Sequence, residues 1–321
     1  MELTKKQSDV LFVAKAFAIL SVVCAHMSFT NEYFVAETIR NCLGQIGVAV
    51  FFIVSGFFYK RTEKDRRNFW RKKVKNALIP WFVISSAVFI VSIIIGGKVK
   101  ALPIAFIKNF LGIGTHYWYM SITFILFGIF KHITKRWELI VCVVISVVSV
   151  YLTTFKILPC NGNFNQYMNP FNWIGFFALG IILRKENLLE KLISFSMFTI
   201  SFIGLVVSIV FAVFKGSEIK AYIDMTSIFT EIFGFLFVIN VSSVFAKSKL
   251  LIDIGKKSFF IYLMHIQVAG IINTRLPYNA LFFVLRPFIA LAVCYIVAVL
   301  FKYLLKLLKI EKYNFIFGLD R

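Results

Sequence analysis

The chain has 321 residues, 60% of them apolar, with a mean hydropathy of +0.83, 39 Phe and only six Pro. Ordinary globular chains are about 45–50% apolar, so this composition excludes disordered, collagenous and disulfide-stapled proteins and points to an all-α polytopic membrane protein. The 36 Lys and Arg against 15 Asp and Glu give a net charge of +21; in a soluble chain that surplus suggests nucleic acid, and here its placement decides.

In chain order, apolar runs of about 17–25 residues, the length that crosses a bilayer, fall at ten places. They are residues 10–29, 40–59, 76–96, 112–130, 137–156, 170–184, 194–214, 222–246, 252–274 and 280–301. The first follows Lys5 and Lys6 as a signal peptide would. It continues for about 20 residues, however, and Val23 is a poor cleavage position, so it reads as a span. The run at 170–184 is short, and 101–111 reads as a partial or re-entrant segment. The uncharged, Asn-rich stretch from Ile157 to Asn169 reads as a solvated turn. No repeat, linker or long hydrophilic stretch interrupts the chain, so one membrane domain over residues 1–321 is expected. The five cysteines (Cys24, Cys42, Cys142, Cys160 and Cys294) lack metal-ligand spacing, and no metal site is expected.

Cytoplasmic loops of membrane proteins carry the Lys and Arg excess. With the N-terminus inside, 26 of the 36 basic residues fall in inner segments and 8 in outer ones, leaving Lys15 and Arg286 within spans. The contrast predicts both termini cytoplasmic and an even number of spans. It also accounts for the charge without nucleic acid. Nine of the inner cations lie between Lys60 and Lys75.

Ionisable groups inside a bilayer are costly and mark functional sites by default. Lys15 and His26 lie 11 positions apart on the first run, three turns and about 16 Å on nearly one face. His116 falls at the mouth of the fourth run and His265 within the ninth, while His132 lies in a basic loop. Glu231 is the carboxylate clearly inside a run; it can pair with a histidine or with Arg286, and the sequence does not separate these. Tyr117, Trp118 and Tyr119 suit either an interfacial aromatic belt or stacking on a sugar ring.

Lys15-x10-His26, in AKAFAILSVVCAHM, resembles the Arg/Lys-x10-His signature of the integral-membrane acyltransferase 3 family. Gly47 to Phe57 (GVAVFFIVSGF) is similar to the family's FF-x-x-SG element, and Phe69-Trp70-Arg71-Lys72-Lys73 ahead of Ile79-Pro80 to its basic inner loop. His116-Tyr117-Trp118-Tyr119-Met120 resembles its HxW-F/Y-L stretch, and Ser258 to His265 (SFFIYLMH) its S-x-x-x-YLxH element. The motifs cover nearly the whole chain in the family's order. Three departures stand out: Lys15 replaces the commoner Arg, Ala49 stands where an acidic residue is frequent, and Lys73 and Asn76 stand in place of two Arg. The first keeps the charge and loses the bidentate fork.

The resemblance implies a membrane O-acyltransferase, O-acetyltransferase-like, that takes an acyl group, usually acetyl, from cytoplasmic acyl-CoA. The acceptor it implies is a hydroxyl of a surface or exported carbohydrate: an exopolysaccharide, a cell-wall glycan or a lipid-linked sugar. No permanently bound cofactor is implied; acyl-CoA is a substrate, and the place is the cell membrane. A sugar hydroxyl needs a base working near neutral pH, which makes His26 the expected base, with Lys15, His116 and Glu231 as catalytic partners. His116 can orient His26, bind the acceptor or merely sit at the interface. Arg66, Arg67, Arg71, Lys72, Lys73 and Lys75 are the expected contacts to the CoA phosphates, or else a topology anchor against anionic lipid. Trp118 and Tyr119 are the expected sugar contacts. Ser55 and Gly56 read as a place of close helix packing, or else as an unwound turn lining the donor path. The alternative function is a multi-span transporter or flippase for a lipid-linked sugar or polysaccharide.

Overall fold

A computed structural model describes residues 3–27, 34–60, 66–96, 102–133, 135–158, 166–215 and 223–319. Among the described residues there are helices and no strands: α1 (Lys5–Ala25), α2 (Phe34–Phe57), α3 (Arg66–Lys73), α4 (Ile79–Gly96), α5 (Leu102–Leu111), α6 (Trp118–Phe130), α7 (Arg136–Thr154), α8 (Pro170–Lys185), α9 (Phe195–Phe214), α10 (Met225–Val244), α11 (Lys249–Arg275) and α12 (Ala280–Leu307). A π-helical stretch, Val74–Leu78, joins α3 to α4, and a 3-10 helix, Glu311–Phe317, follows α12. Each of the ten apolar runs holds one long helix. Among the described residues, seven segments are long and apolar enough to cross a membrane: α1, α2, the stretch ending in α4, α7, α9, α10 and α12. The chain is an all-α, multi-pass membrane protein.

The helix starts follow local chemistry. Thr4 caps α1 with a reciprocal Gln7 contact, which draws the helix five residues ahead of the apolar run. The run at 112–130 is helical only from Trp118. Gly112 and Gly114 adopt positive φ, and a Cβ on Gly112 would collide with the backbone of Trp118, so this turn requires glycine. The segment at 101–111 forms a helix of its own, α5. Residues 159–165 of the Asn-rich stretch, with Cys160, lie outside the described residues. The π-helical turn precedes Pro80, which lacks the N–H that would bond the carbonyl of Asn76; widening the turn absorbs the lost bond.

Glycines set the helix crossings. A Cβ on Gly47 would press on the backbone of Ala18, and one on Gly56 would fall inside the carbonyl of Phe177. Gly180 returns the contact against the backbone of Ile53. Without a water-driven hydrophobic effect, backbone approach and dispersion hold membrane helices together. Gly56 is therefore the packing residue that the sequence suggested. Gly255 of α11 lies against the backbone of Phe12 in α1. Further along the same pair, the ring of His265 meets that of His26 and Asn273 donates to the carbonyl of His26 at 3.2 Å. Helices α1 and α11 therefore lie side by side and run in the same direction.

Candidate active site

The end of the bundle where α1 and α11 finish together gathers three imidazoles. His26 caps the C-terminus of α1, His116 stands in the turn before α6, and His265 belongs to α11. The ring centroids of His26 and His265 are 5.0 Å apart, and those of His116 and His265 also 5.0 Å. Accessibility falls along the series: His26 is exposed, His116 half-buried and His265 0% exposed.

Hydrogen bonds fix the inner two rings. Nδ1 of His265 lies 2.6 Å from the carbonyl oxygen of Tyr262, one turn earlier. A carbonyl only accepts, so Nδ1 carries a proton, and in the neutral ring Nε2 presents a lone pair. That Nε2, like Nε2 of His116, is buried without a hydrogen-bond partner among the described residues. The hydroxyl of Tyr262 donates to the carbonyl of His116, and the hydroxyl of Tyr117 donates to the carbonyl of Leu263 at 3.3 Å. The turn carrying His116 is thus stitched to α11. At the rim, Arg40 of α2 donates to the carbonyl of Met27 and pairs with Glu37 at 3.4 Å. An exposed ring backed by two oriented ones is an arrangement that can accept a proton from a bound hydroxyl.

A family model described as an acyltransferase domain matches residues 11–306. The chain belongs to the acyltransferase 3 family. No curated protein and no solved structure matches it at a significant level. It is a membrane acyltransferase, and the family match covers all three histidines.

In this acyltransferase the remaining expected site residues divide. Lys15 stays on the His26 face of α1, three turns away, with its ammonium 5.4 Å from the ring of Phe12; Lys256 of α11 lies over the same ring at 5.6 Å. Glu231 is buried in α10. Among the described residues it forms no ion pair with any histidine, Lys or Arg, and its charged neighbour is Asp224, two turns back. The expected pairing is corrected on both sides. Arg286 donates to the carbonyls of Leu276 at 2.6 Å and Pro277 at 3.1 Å and covers the ring of Tyr278, and so caps the α11–α12 turn. Asp224 pairs with Lys215 at 3.1 Å.

Trp118 is buried, its ring 5.0 Å from Tyr167 and 5.6 Å from Trp173. It belongs to neither an interfacial belt nor an open sugar platform. Tyr119 packs on Phe52 at 4.6 Å, and its hydroxyl lies 3.2 Å from Oγ of Ser55. Trp118 is thus a core residue, while Tyr119 is half-buried where α6 meets α2.

The basic segment divides as well. Lys73 sets its ammonium 3.9 Å from the centre of the Phe127 ring, with Phe69 and Tyr59 at 5.5 and 5.6 Å. Lys75 lies 4.6 Å over Phe315. These two hold α3 and the π-helical turn to the bundle through cation–π contacts. Arg71 and Lys72 are exposed. The side chains of Arg66 and Arg67 lie outside the described residues.

The sequence left His265 without a role, although its depth in an apolar run and its place in the Ser258 to His265 element both marked it. Arg40 and Asn273 carried no signal; they look like ordinary residues flanking a span until α1 ends between them.

Proposed function

We propose that this membrane acyltransferase moves an acyl group from cytoplasmic acyl-CoA to a hydroxyl of an exported or cell-surface carbohydrate, at the cell membrane, with His26 as general base. The observation that supports it most is the convergence of His26, His265 and His116 at one end of α1, with the only exposed ring belonging to His26. In the reaction a ring nitrogen of His26 takes the proton of the sugar hydroxyl as its oxygen attacks the thioester carbonyl. The tetrahedral intermediate collapses, the carbon–sulfur bond breaks, and the departing CoA thiolate receives the proton. His265 positions His26, and its carbonyl-bonded Nδ1 keeps its own ring fixed. His116 holds the far side of His265. Arg71 and Lys72 supply charge for the donor's phosphates at the opposite end of the bundle, and Lys15 meets the donor arm on the way to His26.

The test uses purified wild type with acetyl-CoA labelled in its acetyl group and a panel of glycans, following free CoA and labelled product. His26→Ala is expected to lower kcat/KM by at least about 10³-fold. A variant that turns over like wild type removes His26 as the base. Transport of a lipid-linked sugar in proteoliposomes without any CoA release replaces the transferase reading with a carrier.

A further inference from the structure

Attack of a hydroxyl on a thioester carbonyl moves negative charge onto the carbonyl oxygen, and that oxyanion is stabilised by hydrogen-bond donors already aimed at it. Beside His26 the backbone works against such a charge. His26 caps the C-terminus of α1, and the parallel α11 ends close by, with Asn273 at the His26 carbonyl. Helix C-termini present carbonyl oxygens and the negative end of the helix dipole, so both repel an oxyanion. The local backbone donors are committed within α1: the N–H of His26 to the carbonyl of Val23 at 3.1 Å, and that of Met27 to the carbonyl of Cys24 at 3.2 Å. Nε2 of His265 presents a lone pair and cannot donate. Arg286 is 1% exposed and holds the carbonyls of Leu276 and Pro277. Arg40 is placed differently. It stands two turns into α2, which runs antiparallel to α1, so its guanidinium reaches the end of α1 and donates to the carbonyl of Met27, the residue after His26. Glu37 braces it from one turn earlier at 3.4 Å, and its side chain is 18% exposed. Its charge acts on the ring of His26. A guanidinium carries five N–H donors in a rigid fork, so it can serve a carbonyl, a carboxylate and a third oxygen at once.

We infer that the Arg40 guanidinium is the donor that stabilises the oxyanion formed beside His26. The inference rests on the proposed acyl transfer with His26 as base. As the hydroxyl oxygen bonds the carbonyl carbon, the carbonyl π pair moves to its oxygen, where an N–H of Arg40 meets it, and the hydroxyl proton is on His26. When the pair returns, the carbon–sulfur bond breaks and the thiolate takes the proton from His26. Arg40 neither gains nor loses a proton in the cycle. Its bonds to Met27 and Glu37 hold the fork in place before the charge appears, which is what makes a donor effective in the transition state.

The experiment measures kcat, with KM for acetyl-CoA and for one glycan acceptor, in wild type, Arg40→Lys and Arg40→Ala. Each is assayed with and without guanidinium chloride at a concentration too low to unfold the protein, and thermal unfolding in detergent is followed alongside. Arg40→Ala is expected to lower kcat about 10²- to 10³-fold with both KM values nearly constant, and added guanidinium to recover at least about 10-fold of that loss. Arg40→Lys keeps the charge and loses the fork, and is expected to lower kcat about 10-fold; it decides the matter if Arg40→Ala does not fold. A residue that only caps α1 would give a lower unfolding temperature and a loss of kcat that guanidinium does not recover, and that result overturns the inference. So does a kcat within about threefold of wild type in Arg40→Ala. A rise in KM for the glycan with kcat retained overturns it as well and makes Arg40 an acceptor contact. Each of these outcomes leaves acyl transfer by His26 standing, whereas wild type that transfers no acetyl group removes that reading and the inference with it.

Discussion

The two ends of the bundle treat their ionisable residues in opposite ways. At one end, three imidazoles from sites as far apart in sequence as His26 and His265 are brought ring to ring, with Nε2 of His116 and of His265 buried. At the other, the cations scatter. Lys73, Lys75 and Lys131 each cover a different aromatic surface, Gln7 bridges Asn187 and Glu190, and Lys257 joins Asp253, which also accepts from Tyr295 at 2.7 Å. On the proposed mechanism the contrast separates reaction from binding. A proton acceptor demands ångström-level placement, while a flexible polyanionic donor can be held by dispersed charge that also anchors the protein in its membrane.

The strongest challenge to the ordered end is a substitution that leaves every imidazole in place. Gly255→Val sets side-chain atoms against the Phe12 backbone. It should separate α1 from α11, lower stability by ~3 kcal/mol and abolish turnover, as read by thermal unfolding in detergent and acetyl-CoA consumption. Gly128, where a Cβ meets nothing within 4 Å, provides the matched control, and Gly128→Ala should change neither measurement. His265→Ala comes next: kcat is expected to fall about 10- to 100-fold through misplacement of His26, with KM for the donor nearly constant. A parallel rise in KM would instead make His265 a binding residue.

The dispersed end should yield more gradually. Gln at both Arg71 and Lys72 is expected to raise KM for acyl-CoA several-fold, an effect that salt erodes in the wild type, with kcat little altered. Unchanged binding would return these charges to topology alone. The smallest effect is expected at Glu231, which lies in neither group: Glu231→Gln should alter kcat/KM by less than about threefold, checked in the same assay. A hundredfold loss there would place the carboxylate back among the histidines.

Much of the fold was legible in the sequence because the bilayer imposes one length and one solvent on every span. Each of the ten apolar runs holds a helix whose ends are set locally by Thr4 capping, Gly112 and Pro80, while α3 and α5 lie outside those runs. The site was legible in part. His26 and His116 stood out as costly groups near the ends of apolar runs, and their family context named the chemistry. That His265 is their partner, and that Glu231 and Arg286 are not, depends on which faces of α10, α11 and α12 turn inward. Periodicity says little about that when every face of a helix is apolar. Trp118 illustrates the same gap: an aromatic at the end of an apolar run reads as interfacial until Tyr167 and Trp173 are known to cover it.

The parallel contact between α1 and α11 also bears on how the protein comes into being. The ring beside His26 comes 239 positions later in the chain, and the turn clamped by Arg286 completes that partner helix. A growing chain that has not yet reached α11 therefore leaves His26 without its partner ring. On the proposed mechanism, chains that end before α11 should therefore show no turnover, because the His26–His265 pair forms only when α11 docks onto α1.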